Sequence, residues 1–211
     1  MHPGYLSNAY LVADEEGGMA LFVDSGAPLE PLRQAADSWG VQPEVVLRTH
    51  SHADHVEHEG ELGLPVKTEA VQVGGLEVEA IPTPGHSDDM VAFVVNDEAV
   101  FTGDTLFKDS VGGGKVDQIR RSVMDVLMKL PPETRVLPGH TDETTIGREW
   151  EENPFVRVWR GVEPEGSERV GVAGEPATLI VWSPDYDGGG KAWVRFEDGR
   201  NAIVGGSRVE R

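Results

Sequence analysis

Residues Thr49-His50-Ser51-His52-Ala53-Asp54-His55 place three imidazoles and a carboxylate within six positions, straight after the apolar run Val45-Val46-Leu47. In an extended segment successive side chains alternate, so His50 and His52 point to one side, while Asp54 and His55 fall where the chain should turn into a helix. Donors spread in this way suit two neighbouring cations better than one. Neutral imidazole and carboxylate are the ligands Zn2+ accepts, and iron and manganese take the same set. A polar loop that is merely histidine-rich describes the pattern poorly. Five of the seven histidines, His50, His52, His55, His86 and His140, stand at strand ends marked by Gly, Pro or Asp.

The elements that must position these groups follow from the surrounding pattern. Two apolar runs, Leu6 to Val12 and Met19 to Asp24, flank the turn-former cluster Asp14-Glu15-Glu16-Gly17-Gly18 and predict a β-hairpin. Pro28 and Pro31 mark a helix start, with Leu32, Ala35, Ala36 and Trp39 at helical spacing and Gly40 as its stop. Val45 to Leu47 is then a short buried strand whose exit carries the histidines, where α/β proteins place their chemistry. His58, among glutamates, reads as an exposed helix residue outside the site. Glu77 to Ile81 alternates as a half-buried strand, and Pro82-Thr83-Pro84-Gly85-His86 is a rigid turn that delivers His86. Met90 to Val95 and Ala99 to Thr102 are two strands around the turn signal Asn96-Asp97, and the second exits into Gly103-Asp104. Glycine there permits close backbone approach, and Asp104 could offer one oxygen to each of two cations.

Lys108 to Lys115 reads as a flexible glycine-rich loop; Val116 after Lys115 rules out a phosphate-binding loop. Ile119, Val123, Val126, Leu127 and Leu130 form a helical stripe ended by Pro131-Pro132, with Met124 and Met128 at its core edge. Arg135-Val136-Leu137 is one more strand, and Pro138-Gly139-His140 puts a histidine on a tight turn. Past Asn153-Pro154-Phe155 the composition changes. Strand-like runs 177–182, 192–196 and 202–204, joined by Asp187-Gly188-Gly189-Gly190 and Asp198-Gly199, predict a small antiparallel tail. Trp182 and Trp193, if they share a face, pack it against the main body. Asp185 and Asp187 read as a turn rather than a calcium loop, since the downstream glutamate is missing.

Composition narrows the function classes. The 211 residues hold one good-sized core, or a core with a small appendage, and include no cysteine, which removes disulfides, thiolate ligands and cysteine nucleophiles together. A formal charge of −19 repels nucleic-acid phosphates and anionic membranes, so neither is an expected partner. No run approaches the roughly 18 apolar residues of a membrane helix, and Met1-His2-Pro3-Gly4 does not open a signal peptide, so a cytoplasmic location is expected.

With these positions in place, the chain resembles the metallo-β-lactamase fold superfamily and, among its branches, the glyoxalase-II-like hydrolases. The resemblance runs from about Leu6 to Gly161. It rests on His50, His52, Asp54, His55, His86, Asp104 and His140 in the family's order, and on Phe101-Thr102-Gly103-Asp104-Thr105-Leu106-Phe107 and Leu137-Pro138-Gly139-His140. It implies an α/β fold, a four-layer αββα sandwich of two mixed β-sheets flanked by helices over residues 1–161, with a small antiparallel β extension over 162–211. It implies that His50, His52 and His86 hold a first metal, that Asp54, His55 and His140 hold a second, and that Asp104 bridges them. The cofactors would be two divalent ions, Zn2+ first, with iron or manganese as alternatives.

The activity implied is hydrolysis of a small-molecule thioester or ester by a hydroxide shared between the ions. Asp54 would be the catalytic carboxylate that orients the nucleophile and takes its proton, and Thr49 and Ser51 are adjacent candidates for orienting the imidazoles. Two departures bear on substrate. Glyoxalase II has a helical C-terminal region that helps bind glutathione, where this tail reads as β; quorum-signal lactonases carry a tyrosine where this chain has Phe107. Rival readings are a mononuclear iron persulfide dioxygenase, using His50 or its neighbour with His86 and Asp104, a lactonase, or a non-catalytic metal-binding module. A homodimer is a further expectation, and the tail reads as a lid, a dimer contact or a cap on an apolar edge.

Overall fold

The computed structural model describes Met1 and residues 4–211; His2 and Pro3, within the N-terminal stretch read above for a leader, lie outside the described residues. The chain starts as the expected hairpin, β1 (Tyr10–Ala13) and β2 (Met19–Val23), with Tyr10 opposite Val23. Helix α1 (Glu30–Trp39) has proline in its first turn and ends at Gly40, whose φ of 66° is the left-handed cap that glycine adopts without strain. Next come β3 (Gln42–Leu47), the one-turn helices α2 (Ala53–Val56) and α3 (Glu59–Leu62), and β4 (Val66–Lys67). These strands form a mixed sheet ordered β1-β2-β3-β4, parallel from β2 onward.

The second half begins with β5 (Val71–Val73), β6 (Leu76–Pro82), β7 (Val91–Val95) and β8 (Ala99–Gly103). Asn96 and Asp97 take left-handed φ of 52° and 56° in the three-residue β7–β8 turn, which the Glu98 N–H closes by donating to the Val95 carbonyl at 3.0 Å. A short hairpin, β9 (Leu106–Phe107) and β10 (Ser110–Val111), precedes α4 (Val116–Arg121), which runs on through a wide turn to Lys129. Then follow β11 (Arg135–Pro138), β12 (Thr144–Thr145), α5 (Ile146–Glu152) and α6 (Pro154–Trp159). The second mixed sheet runs β12-β11-β8-β7-β6-β5, with β11 parallel to β8.

The two sheets face each other across Leu21, Val23, Val45 and Leu47 on one side and Val78, Phe93, Val95 and Phe101 on the other. Burying such a stack of apolar side chains at about 25 cal/mol per Å2 is what holds the layers together. Outside the first sheet, Ala20 packs on Ala36 of α1. Outside the second, Ala92, Val94, Val100 and Val136 meet Ile119, Val123, Leu127, Phe155 and Val156 of the helices. The αββα expectation holds, with helices on both flanks.

The tail is a five-stranded antiparallel sheet: β13 (Glu168–Val172), β14 (Glu175–Ser183), β15 (Lys191–Phe196), β16 (Asn201–Gly205) and β17 (Val209–Glu210). Curled on itself, it buries Val170, Leu179, Ala192 and Val194 on one face, and sets Ile180, Val181, Trp193 and Ile203 into the helical layer's core. Trp182 and Trp193 do not share a face. The register shifts between Leu179 and Val181, so Val181 pairs with Trp193 and Trp182 with Ala192; Trp193 is buried beside Trp159 while Trp182 is 38% exposed. Lys108 to Lys115 is likewise no free loop. Ser110 and Val111 are buried, and Asp109 N donates to the buried carboxylate of Glu149 at 2.8 Å. Among the described residues no helix is long and apolar enough to cross a membrane.

Candidate metal centre

All seven predicted positions meet at one edge of the sandwich, where β3, β8 and β11 end. His50 and His52 leave the end of β3 on the same side, with His50 Nε2 3.1 Å from His52 Nδ1. His86, on the Pro82–His86 turn, brings Nε2 to 2.9 Å from the same His52 nitrogen. Asp54 and His55 lie in α2, and His140 follows β11. His58 points elsewhere and pairs with Glu61 at 2.8 Å. Three donor groups result, His50/His52/His86 and Asp54/His55/His140 without a shared residue and His50/His55/Asp104 joining them, each with its donor atoms within 4.8 Å of one another.

Asp104 stands between them. One oxygen, Oδ1, is 3.3 Å from His55 Nε2, and the other, Oδ2, is 3.4 Å from both His86 Nε2 and His140 Nε2. Close backbone approach is needed to seat it. Gly103 has φ 46°, and a Cβ there would lie 2.7 Å from Thr49 Oγ1; a Cβ on Gly139 would come within 2.3 Å of Asp104 Oδ1.

The hydrogen bonds behind the rings decide what their inner atoms can do. His55 Nδ1–H donates to Asp24 Oδ2 at 2.7 Å, His86 Nδ1–H to the Gly113 carbonyl at 2.9 Å, and His140 Nδ1–H to the Leu6 carbonyl at 3.1 Å. Thr49 gives its own hydroxyl proton to Asp24 Oδ2 at 2.8 Å and so accepts from His50 Nδ1 at 3.1 Å. Four Nε2 lone pairs therefore turn inward. His55 Nε2 and Asp104 Oδ1 are buried without a hydrogen-bond partner. A lone pair facing carboxylate oxygens in a dry site calls for a positive charge between them, which a cation or a proton supplies. The two clusters are consistent with metal binding.

Proton affinities show the same electrostatics. Burial pushes the His50 imidazole down to about 4 and lowers that of His86. For His55, burial opposes charging, but the facing carboxylates of Asp104 and Asp24 raise it to about 11; for His140, against the same opposition, those of Asp104 and Asp54 raise it to about 9. Asp104 is buried, which disfavours its charge, yet the facing imidazoles of His140 and His55 hold it well below the usual carboxylate range.

Of the orienting groups, Thr49 was legible in the sequence. Ser51 plays no such part: its backbone N–H donates to Asp89. Asp24 was missed, although it repeats the mark of Asp104, a carboxylate at the exit of an apolar strand, here held at φ 56°. The carbonyls of Leu6 and Gly113 leave no trace in residue type.

A model of the metallo-beta-lactamase superfamily matches residues 61–140, a span that holds His86, Asp104 and His140. An uncharacterised protein of Aquifex aeolicus is 31% identical over 193 residues, covering 70% of this chain and 90% of its own. The chain belongs to the metallo-β-lactamase superfamily. Within it, the protein named probable metallo-hydrolase YqgX of Bacillus subtilis is 27% identical over 197 residues, 71% of this chain and 92% of that one. The crystal structure of TTHA1623 in a di-iron-bound form superposes with a TM-score of 0.60 at 32% identity, covering 74% of this chain and 98% of that one.

Proposed function

We propose that the chain is a metal-dependent hydrolase of small ester or thioester substrates, of the glyoxalase-II-like kind. The observation that carries this is Asp104 lying between two donor triads, with the outward ring nitrogens of His50, His55, His86 and His140 already bonded. His50, His52 and His86 would hold one ion and Asp54, His55 and His140 a second, with Asp104 shared. Two divalent ions there would lower the pKa of a water to about 7 and polarise a carbonyl oxygen, supplying a nucleophile without cysteine or serine. The di-iron form of TTHA1623 and the name of YqgX support a paired-ion hydrolase, with iron as eligible as zinc.

The chain's own residues do the rest. Asp24, the Gly113 carbonyl and the Leu6 carbonyl fix ring orientation, so little reorganisation is left for the reaction. Asp54, with its side chain 21% exposed, is the carboxylate that would orient an attacking water and take its proton. His52 is exposed and His86 half-buried, so a small-molecule substrate would approach from their side.

The test is metal content of protein purified without added metal, followed by turnover on a panel of thioesters, esters and lactones. We expect about two ions per chain and chelator-sensitive hydrolysis. About one iron per chain with oxygen uptake on a glutathione persulfide, and no hydrolysis, would replace this reading with the dioxygenase.

A further inference from the structure

The tail sheet reaches the metal centre. Tyr186, in the loop between β14 and β15, lies flat on His140, ring centroids 3.9 Å apart and planes 8° apart. Phe107 meets the edges of both rings, at 5.6 Å from His140 and 6.2 Å from Tyr186. With Nδ1 bonded to the Leu6 carbonyl, His140 is held by its face, by an edge contact and by one nitrogen.

The loop that presents Tyr186 is itself anchored. Asp185 and Lys191 form a buried ion pair at 2.8 Å, with side chains 2% and 9% exposed. Asp185 also accepts from the Tyr186 backbone N–H at 3.0 Å, and Lys191 Nζ sits 5.6 Å from the Tyr186 ring centroid. Ser183, at the end of β14, shares a 2.9 Å hydrogen bond with Ser110 of the β9–β10 hairpin. The same sheet braces the other triad. Ile203 of β16 exchanges backbone hydrogen bonds with Gly114 at 2.9 and 3.2 Å, next to Gly113, whose carbonyl fixes His86.

We infer that residues 162–211 complete the metal centre rather than merely adjoin it, and that Tyr186 is a positioning residue that holds His140 for the second ion. This rests on the proposed assignment of His140 as a ligand. A face-to-face aromatic contact restricts ring tilt, and partners that orient a ligating imidazole are worth roughly 10–100-fold in metal affinity. The phenol hydroxyl is not needed for that; the ring is.

The experiment is a chelator-competition titration resolving the first and second ion in the full chain, with Tyr186→Ala, Tyr186→Phe and His140→Ala, each checked for folding by circular dichroism. Tyr186→Ala should weaken the second ion by about 10-fold and leave the first within about 2-fold, and Tyr186→Phe should restore it. Equal affinities in Tyr186→Ala and the parent overturn the inference, as does a uniform loss of both ions, or a Phe variant as weak as the Ala variant. If His140→Ala keeps its second ion, the ligand assignment beneath the inference has failed instead.

Discussion

The two triads on either side of Asp104 are built from nearly the same donors and treat protons in opposite ways. His50/His52/His86 contains imidazole alone. Burial leaves His50 at about 4 and lowers His86, so at neutral pH the inner nitrogens of these two rings hold bare lone pairs. In Asp54/His55/His140, carboxylates face imidazoles, and His55 and His140 rise to about 11 and about 9. That half pairs with itself through protons when protons are the only cations on offer. The lesson is that donor type does not set readiness; the charge facing each donor does. A cation entering the first half displaces no proton from His50 or His86, and one entering the second must displace two.

The severest way to break the contrast is to remove the residue both halves share. Asp104→Ala should take turnover down by more than the roughly 100-fold that loss of an orienting partner can cost, and reduce stoichiometry from about two ions to one or fewer. Metal analysis of the purified variant checks this. A variant that keeps two ions and its activity would show that the halves are independent and that Asp104 only fills space between them.

Next in size is Asp24, which orients His55 directly and His50 through Thr49. Asp24→Asn should weaken the second ion by about 10–100-fold, and the first by less, because Thr49 still lies between. Stepwise titration reads both. An equal loss at the two halves would erase the asymmetry.

Third, the contrast has a pH signature. Between pH 7 and 9 the first half should load with little pH dependence, while second-ion affinity climbs with a slope approaching about 2 as two protons leave, detectable as acid release in weakly buffered solution. Stability of the metal-free chain should move the other way. His55 and His140 fold with pKa values above their ordinary 6.5, so their contribution is complete below 6.5 and lost as pH rises through about 9 and then about 11. Denaturant midpoints across pH 6 to 11 test the sign, and a midpoint that rises above pH 9 would contradict it.

How much of this was readable beforehand depends on what carries each feature. Strands flanking the site showed themselves by alternation and by Gly, Pro or Asp at their exits, so the seven donors could be gathered without coordinates. The asymmetry between the halves could not, because Asp104 lies equally near His86 and His140 and the difference arises from the further carboxylates, Asp24 at 2.7 Å from His55 and Asp54 at 3.4 Å from His140, tertiary distances with no local signature. Backbone acceptors at Leu6 and Gly113 are invisible for the same reason. The stretch Lys108 to Lys115 read as loose because of its glycines, yet long-range backbone bonds and Glu149 hold it. Trp182 and Trp193 were misread because a one-residue register shift in β14 reverses side-chain parity, which sequence spacing alone cannot reveal. Helices α5 and α6 and strand β13 passed unread: α5 is short and charged, α6 is only six residues long, and β13 is masked by Gly and Glu.

The smallest expected effect is at His58, three positions past the motif and of the same residue type as its ligand candidates. Its backbone N–H donates to the Ser25 carbonyl and its ring to Glu61, both away from Asp104. His58→Ala keeps the backbone bond and loses a partly exposed pair worth about 0–1 kcal/mol. Both ions should bind within about 2-fold of the parent, with the same acid release on loading. A larger shift confined to the second ion would mean that α3 couples to His55 through α2, and that the second half extends further along the chain than the seven donors and their hydrogen-bond partners.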